Sequence, residues 1–429
     1  MEYSKRLIRL DGPARDVGAA FGEANAAEIR EDVDRFFTEA RDKEGLAARA
    51  LVAAGAGYIA LVERYAPHWL DEADALARAA GVEPERYLTY QGGKYRGINR
   101  PECFTWYAPP DWCMNGVGLF HKNRDNKRRT QCAYVKGVHV PGKRIYRFLA
   151  SGDTMDMGTM FGVNERGLAI AADTGAADPE PRWRGMMNTD TMRLMLEHCS
   201  DVDEALAFLE GLQADGVCAG GPLATNWMFA DARGESLRVY QFVRRLELQR
   251  GGDSCLVMRD ADARGDLVRG ELTRERGRLT PLTMNALARR TPVLDNSNCS
   301  SFTALIPARQ NDVFTCAYVA VSRAVETLCV PLYVGAAATP SCLVDGSPSR
   351  LSARASRGAS LEARAAAAGI DLAAFEAHLE TERQALEAHA RSTYHVLGRD
   401  AVVQELTKGC LTFAEHVCGM LTDLEKTHA

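Results

Sequence analysis

Cys103 divides this 429-residue chain into two textures, and that division constrains the fold more than any other feature. Before it the apolar spacing is helical, through Ala47–Tyr65 and His68–Ala80, with Pro67 and Gly81 as punctuation. After it come short alternating segments: Cys103–Ala108, Val117–Lys122, Arg144–Ala150, Gly158–Val163 and Leu168–Ala172. A helix over Thr189–Glu210 intervenes, and strands resume at Ala224–Ala230, Ser236–Phe242, Ser254–Met258, Ser301–Ile306 and Thr327–Val334. The joints carry turn residues: Asn115-Gly116, whose members tolerate positive φ, Asn164 to Gly167, and Asp231 to Gly234. Helices, then strands, helices and strands again predict an α+β chain of antiparallel sheets covered by helices.

The N-terminus begins with an alternating edge-type strand, Arg6–Leu10, broken by Gly12-Pro13 before a helix that carries Gly18 and Gly22. Glycine costs about 1 kcal/mol inside a helix, so two of them four apart predict a tight contact, here of helix on sheet. Beyond Pro348 the composition turns to Ala, Glu, Arg and Leu with long helical periodicity over Leu361–Leu386 and Val402–Leu424. The domain reading is therefore 1–347 as the layered body and 348–429 as a helical extension. The Ala-rich face of that extension suits either packing on the body or a contact with a second copy.

A net charge of −5 supplies no basic field for nucleic acid. The Arg-rich stretch Arg264–Arg278 is mixed with Asp and Glu and reads as a solvated helical face. No run approaches the about 18 apolar residues of a membrane span, and the charged start lacks a signal-peptide core. Twelve cysteines scattered singly from Cys103 to Cys418 do not form a disulfide framework, so a reducing cytoplasm is the expected compartment. None shows Cys-x-x-Cys spacing and no His cluster accompanies them, so neither a metal nor another cofactor is expected.

Cys103 opens the run Cys-Phe-Thr-Trp-Tyr after a Gly-rich approach, Gly92 to Gly97. Scission of the Glu102–Cys103 bond would give it an α-amine with a pKa of roughly 7.7–8.0, able to take the thiol proton at neutral pH. Such a cysteine needs no histidine partner. Alternation puts Cys103 and Thr105 on one strand face, and the hairpin brings Asn123-Arg124-Asp125 to the same sheet end.

These pieces, taken in order, resemble the acyl-coenzyme A:6-aminopenicillanate acyltransferase (isopenicillin-N N-acyltransferase) family of cysteine Ntn hydrolases, enzymes that cut themselves before a cysteine. The matching pieces are Gly12 to Gly18 with Gly22, Arg64 to Trp69, Cys103-Phe104-Thr105, Asn123-Arg124-Asp125, and Phe161 to Ala169. The resemblance spans about residues 7–340. It implies a four-layer αββα sandwich with Cys103 at the end of a central strand, self-cleavage at Glu102–Cys103, and an amide-type small-molecule substrate handled through an acyl-enzyme. Carried over, Cys103 matches the nucleophile, and Thr105 the hydroxyl residue that lines the site. Asn123 and Asp125 flank Arg124, where the family usually has Trp. Asp125 is the candidate to hold the nucleophile's amine, because an adjacent carboxylate favours the ammonium form.

The departures are equally specific. Glu102 stands where a small residue is common, and Asp173 where an asparagine usually follows the Asn164-to-Ala169 segment. The oxyanion asparagine aligns loosely with Asp260, a carboxylate that donates only when protonated. Asn298 is the substitute on offer. Arg124 and Asp173 complete the candidate substrate-binding set. His121 raises a Cys-His alternative and reads as a strand surface residue; Cys113, a rival nucleophile, sits in the hairpin turn. The expectation is a cysteine-dependent amide hydrolase or N-acyltransferase. The alternative is an uncleaved relative that binds a small amide without turning it over.

Overall fold

The computed structural model describes residues 6–42, 48–94, 103–126, 129–178, 186–217, 223–259, 262–355 and 360–427. The cleavage-site residue Glu102 and the oxyanion candidate Asp260 lie outside the described residues. Two short strands, β1 (Leu7–Ile8) and β2 (Leu10–Pro13), precede helices α1 (Ala14–Ala24), α2 (Ala26–Asp42), α3 (Ala48–Tyr65), α4 (His68–Ala80) and α5 (Pro84–Gly93). Strands follow: β3 (Phe104–Ala108), β4 (Gly118–Asp125), β5 (Gln131–His139), β6 (Phe148–Asp153), β7 (Phe161–Asn164) and β8 (Ala169–Ala177). Helices α6 (Asn188–His198) and α7 (Val202–Ala214) lead to β9 (Leu223–Ala230), β10 (Ser236–Gln241), β11 (Leu246–Arg250) and β12 (Leu256–Val257). Next are α8 (Ala263–Arg274), α9 (Pro281–Ala288), β13 (Asn298–Ile306), α10 (Asn311–Phe314), β14 (Cys316–Ala320), β15 (Val330–Tyr333) and β16 (Thr339–Pro340). The chain closes with α11 (Ser341–Val344), α12 (Ser347–Ala355), α13 (Leu361–Ala367), α14 (Leu372–Leu397) and α15 (Arg399–Thr427).

Among the described residues the strands form two large sheets, ordered β11-β10-β9-β8-β7-β6-β5-β2 and β12-β3-β4-β13-β14-β15, beside the small pair β1-β16. Pairing is antiparallel except between β2 and β5. The sheets face each other, β3 against β8 and β9, β13 against β7, with Phe161 and Phe302 meeting at 5.1 Å between ring centroids. Helices α6 and α7 cover the larger sheet, and α8, α9 and α15 cover the smaller one. This is the α+β, four-layer αββα sandwich expected from the sequence. Its central strands are buried on both faces; β14, Cys-Ala-Tyr-Val-Ala, reads as an apolar run and β5 interrupts its apolar residues with Lys136-Gly137, so neither shows a period-two pattern in the sequence.

The structure corrects several local expectations. Thr189–Glu210 is two helices, because the Asp201 carboxylate accepts from the Asp203 and Glu204 amides at 3.1 and 3.0 Å and starts α7 afresh. Asp173 does not end its strand; β8 continues beyond it, with Asp173 opposite Asn226. Gly18 and Gly22 serve a helix-on-helix contact instead of helix on sheet: a Cβ at either would fall on the main-chain oxygens of Glu72 or Leu76 in α4. The C-terminal helices pack on the body. Leu379, Phe413 and Leu421 join the same core as β14 and β15, and Glu376 of α14 pairs with Arg289 after α9 at 2.7 Å.

A buried charge network ties the helices before Cys103 to the larger sheet. Glu72 of α4 pairs with Lys136 of β5 at 2.8 Å and with Arg193 of α6 at 2.5 Å, and Arg193 reaches Glu197 at 2.9 Å. Glu197 also accepts from Trp69 Nε1 at 3.0 Å. Each charge has a partner, the condition under which burial of ions is tolerated.

Candidate active site

Cys103 sits immediately before β3 with φ of 75°, in the left-handed region that non-glycine residues rarely occupy. Strand pairing sets what surrounds it. Phe104 pairs with Asn123 and Thr105 with Lys122, so Cys103 and Thr105 share the inter-sheet face with Lys122 and Arg124. Phe104, Trp106, His121 and Asn123 occupy the opposite, helix-facing side.

The inter-sheet face holds two buried ion pairs. Lys122 Nζ pairs with Asp173 of β8 and donates to the Ala172 carbonyl at 2.7 Å; Thr105 Oγ1 donates to the same Asp173 oxygen at 2.7 Å. Asp173 Oδ2 has no hydrogen-bond partner. Arg124 pairs with Asp153 at 2.5 Å and donates to Gln131 Oε1 at 2.6 Å. Burial pushes the Asp153 carboxyl up, yet the Arg124 charge beside it wins and holds it well below the usual carboxylate range. Cys103 lines a cavity of about 40 Å³ with Lys122, Arg124, Asn126, Met160, Ala172, Thr174, Asn188, Thr189 and Met192. A water needs roughly 10–15 Å³ by this measure, so the space holds a few waters. Its wall includes the Thr189 hydroxyl, buried without a hydrogen-bond partner.

The Cys103 thiol donates to the Asp125 carbonyl at 3.7 Å. Burial pushes it above the ordinary thiol range; Lys122 opposes that shift, and Asp173 and Asp125 add to it. The Asp125 carboxylate is also raised by burial, against the pull of Arg264, which contacts it at 2.8 Å. Arg264 lies on α8 and crosses the Phe104 ring at 4.8 Å, so one member of the Arg264–Arg278 stretch points inward and is not solvated.

The remaining candidates divide clearly. Asn298 Nδ2 donates to the Arg124 carbonyl and to Asp125 Oδ1 at 3.2 and 3.3 Å, while its Oδ1 accepts from the Ala324 amide at 2.9 Å. It pins the bulge where β13 leaves register with β4. Asn123 is turned away from Cys103: it accepts from Ser301 at 2.6 Å, contacts His121 at 3.1 Å, and donates to the Ala288 carbonyl at 3.0 Å. His121 is not a surface residue. It is fully buried, stacked on Trp106 at 4.0 Å, and burial pushes its pKa down to about 3. Cys113 is held at a bridge to Leu279, beyond the far end of β3 from Cys103.

Lys122, Asp153, Arg264 and Arg259 were not singled out from the sequence. The alternation that joins Cys103 to Thr105 also selects Lys122 and Arg124 once the β3/β4 register is known. No local pattern marks Arg259 or Arg264, which arrive from β12 and α8. Arg259 Nη2 donates to the Cys103 carbonyl at 3.3 Å. Among the described residues no group of three or more His, Cys, Asp or Glu is arranged for a metal, and no helix is long and apolar enough to cross a membrane.

The sequence model of the family described as acyl-coenzyme A:6-aminopenicillanic acid acyl-transferase matches residues 113–250. The resemblance to that family stands. The matched segment runs from the β3–β4 connection to the end of β11 and carries Lys122, Arg124, Asp125 and Asp173. Among solved structures the chain is similar to penicillin V acylase from Agrobacterium tumefaciens, at 12% identity and TM-score 0.40, over 54% of this chain and 86% of that one. It is similar to conjugated bile acid hydrolase from Clostridium perfringens, at 13% and 0.36, over 51% and 89%. It is also similar to the N-acylethanolamine-hydrolyzing acid amidase ortholog of Caenorhabditis elegans, at 13% and 0.35, over 48% and 94%. None of the curated proteins compared matches the chain in sequence.

Proposed function

We propose that this protein is a cysteine-nucleophile amide hydrolase or N-acyltransferase of the N-terminal-nucleophile type, activated by scission of its Glu102–Cys103 bond. The observation that carries the reading is the placement of Cys103. A cysteine heads a central strand in a left-handed backbone, with its thiol facing a small cavity that Lys122 shares. The left-handed conformation costs about 1–2 kcal/mol in a non-glycine residue. It falls at the N–Cα bond adjoining the proposed scissile peptide, where cutting the chain relieves it.

In the cut, Cys103 Sγ attacks the carbonyl carbon of residue 102. The C–N bond breaks as a thioester forms, and water hydrolyses that thioester to leave a carboxylate, a free thiol and a free α-amine. The amine then accepts the thiol proton, a task matched to its pKa of roughly 7.7–8.0. Lys122 donates two of its three N–H groups to Ala172 and Asp173, leaving one for a thiolate in the shared cavity. The thiolate attacks the substrate amide, the amine product leaves with the proton from the Cys103 ammonium, and the acyl-enzyme passes to water or to an acceptor amine. Hydrolysis is the preferred fate because water is always present. The substrate class is a non-peptide or small-peptide amide, and no cofactor enters the scheme.

The buried, raised thiol and the small cavity fit an uncut precursor. The same two observations favour the second reading, an uncleaved relative that binds a small amide. Limiting iodoacetamide followed by peptide mapping separates the two. The enzyme reading expects Cys103 to be alkylated ahead of the other cysteines of the twelve. Labelling of Cys103 at the pace of its buried counterparts supports the binding protein.

A further inference from the structure

Acyl transfer from an amide to a thiolate passes through a tetrahedral intermediate whose oxygen bears a full charge, and that oxygen needs donors. The described groups near Cys103 leave few. Asn298 is committed through Nδ2 to the β4/β13 bulge and through Oδ1 to the Ala324 amide, and the Thr105 hydroxyl is committed to Asp173.

The guanidinium that touches the nucleophile's own backbone belongs to Arg259. Leu256 and Val257 pair with Tyr107 and Trp106, and the Met258 amide donates to the Thr105 carbonyl at 2.9 Å, so residue 259 is delivered beside the head of β3. There Nη2 donates to the Cys103 carbonyl at 3.3 Å, and Nη1 lies 3.6 Å from Asp262, the N-cap of α8. The side chain is 27% exposed, unlike the sealed Lys122 and Arg124. A guanidinium has five N–H donors in a planar fork, so these two contacts leave others for a ligand.

We infer that Arg259 is the oxyanion-binding residue of this site. The inference rests on the reading of Cys103 as nucleophile. As Sγ bonds to the acyl carbon, the carbonyl π pair moves onto oxygen, and the Arg259 fork shifts from the Cys103 carbonyl to meet it. Collapse returns the pair, breaks the bond to the leaving group, and frees the guanidinium to its resting contact. The interaction is charge-assisted and stronger than a neutral amide would supply. Lys122 and the unpartnered Thr189 hydroxyl, which line the cavity that Cys103 faces while Arg259 does not, are the rival donors.

The test compares two reactions of the same thiol in the purified protein. Acylation by p-nitrophenyl acetate, read as the burst of p-nitrophenolate, builds an oxyanion; alkylation by iodoacetamide does not. Arg259→Met is expected to lower the acylation rate by about 10²–10³ while alkylation of Cys103 stays within about twofold. Arg259→Lys keeps a cation but not the fork, and is expected to fall between the two. Acylation that survives Arg259→Met overturns the inference and assigns the oxyanion elsewhere. An equal fall in both reactions overturns it too, reducing Arg259 to a residue that positions Cys103. A wild-type protein whose Cys103 is neither acylated nor alkylated rejects the nucleophile itself, which distinguishes that failure from a failure at Arg259.

Discussion

Replacing Lys122 by Met tests how the inter-sheet face is held and how the thiol is tuned. The Lys122 and Asp173 side chains are each 1% exposed and paired across the two sheets. Removing the ammonium leaves a buried carboxylate with one hydroxyl donor, Thr105, and a second oxygen that has no hydrogen-bond partner. Breaking a buried pair in this way costs about 3–5 kcal/mol. Asp173→Asn alone strands the ammonium, with a cost of the same order. The double variant Lys122→Met/Asp173→Asn removes both charges and keeps an acceptor for Thr105, so most of the loss returns. The coupling energy of the cycle, the two single costs less the small cost of the double, is expected at about 4 kcal/mol or more. Urea unfolding followed by fluorescence of Trp106 and Trp227, both fully buried, measures it. A Lys122→Met cost below about 1 kcal/mol, or single costs that simply add, refutes the pairing argument. Because Lys122 is the charge that offsets the burial of Cys103, the same variant slows iodoacetamide alkylation of that thiol at neutral pH.

Three further outcomes are expected. Gly18→Ala drives a methyl into the Glu72 carbonyl and separates α1 from α4; it destabilises by about 1–3 kcal/mol or more in a urea melt, whereas Gly57→Ala, where a Cβ meets nothing, does not. Asn298→Ala leaves the Ala324 amide without its acceptor and releases the bulge beside Asp125, so stability falls by about 2–4 kcal/mol and Cys103 labelling kinetics change with it. Burial pushes the Asp190 carboxyl up from 3.8 to about 6, so the folded state binds a proton there that the unfolded chain has lost. Its contribution is complete below about pH 4 and disappears as pH rises through about 6; Asp190→Asn removes that fall, worth on the order of 2–3 kcal/mol, from a series of urea melts across the window.

The sequence shows strands where turn residues bracket them, as Asn115-Gly116 before β4 and Asp231 to Gly234 between β9 and β10; β4, β6 and β9 are as buried as β5 and β14, and only β10 keeps a half-buried alternation. The expected β9 and β10 match to within a residue, as do the helices His68–Ala80 and Ala47–Tyr65, whereas β4 runs on to Asp125 beyond the expected Lys122 and β6 is Phe148–Asp153 where Arg144–Ala150 is expected. The sequence hides β5 and β14, which no glycine-bearing turn introduces, and it joins α6 to α7 across a cap that only Asp201 announces. At the site, the single residue Cys103 and its face-mate Thr105 are legible from alternation. Asn123 is on the wrong face, one position from Lys122, because proximity in sequence to Asp125 says nothing about which side of a strand points at the thiol. Arg259 and Arg264 come from elements more than 150 residues downstream of Cys103, where no local pattern connects them to it.

The central claim is that Cys103 becomes a chain terminus. Intact mass of the purified protein, with N-terminal sequencing of each species, measures this directly. The account predicts two chains, Met1–Glu102 and Cys103–Ala429, the second beginning with a free cysteine, and a single uncut chain for Cys103→Ala. A wild-type preparation that stays at one full-length mass through prolonged incubation at neutral pH contradicts it.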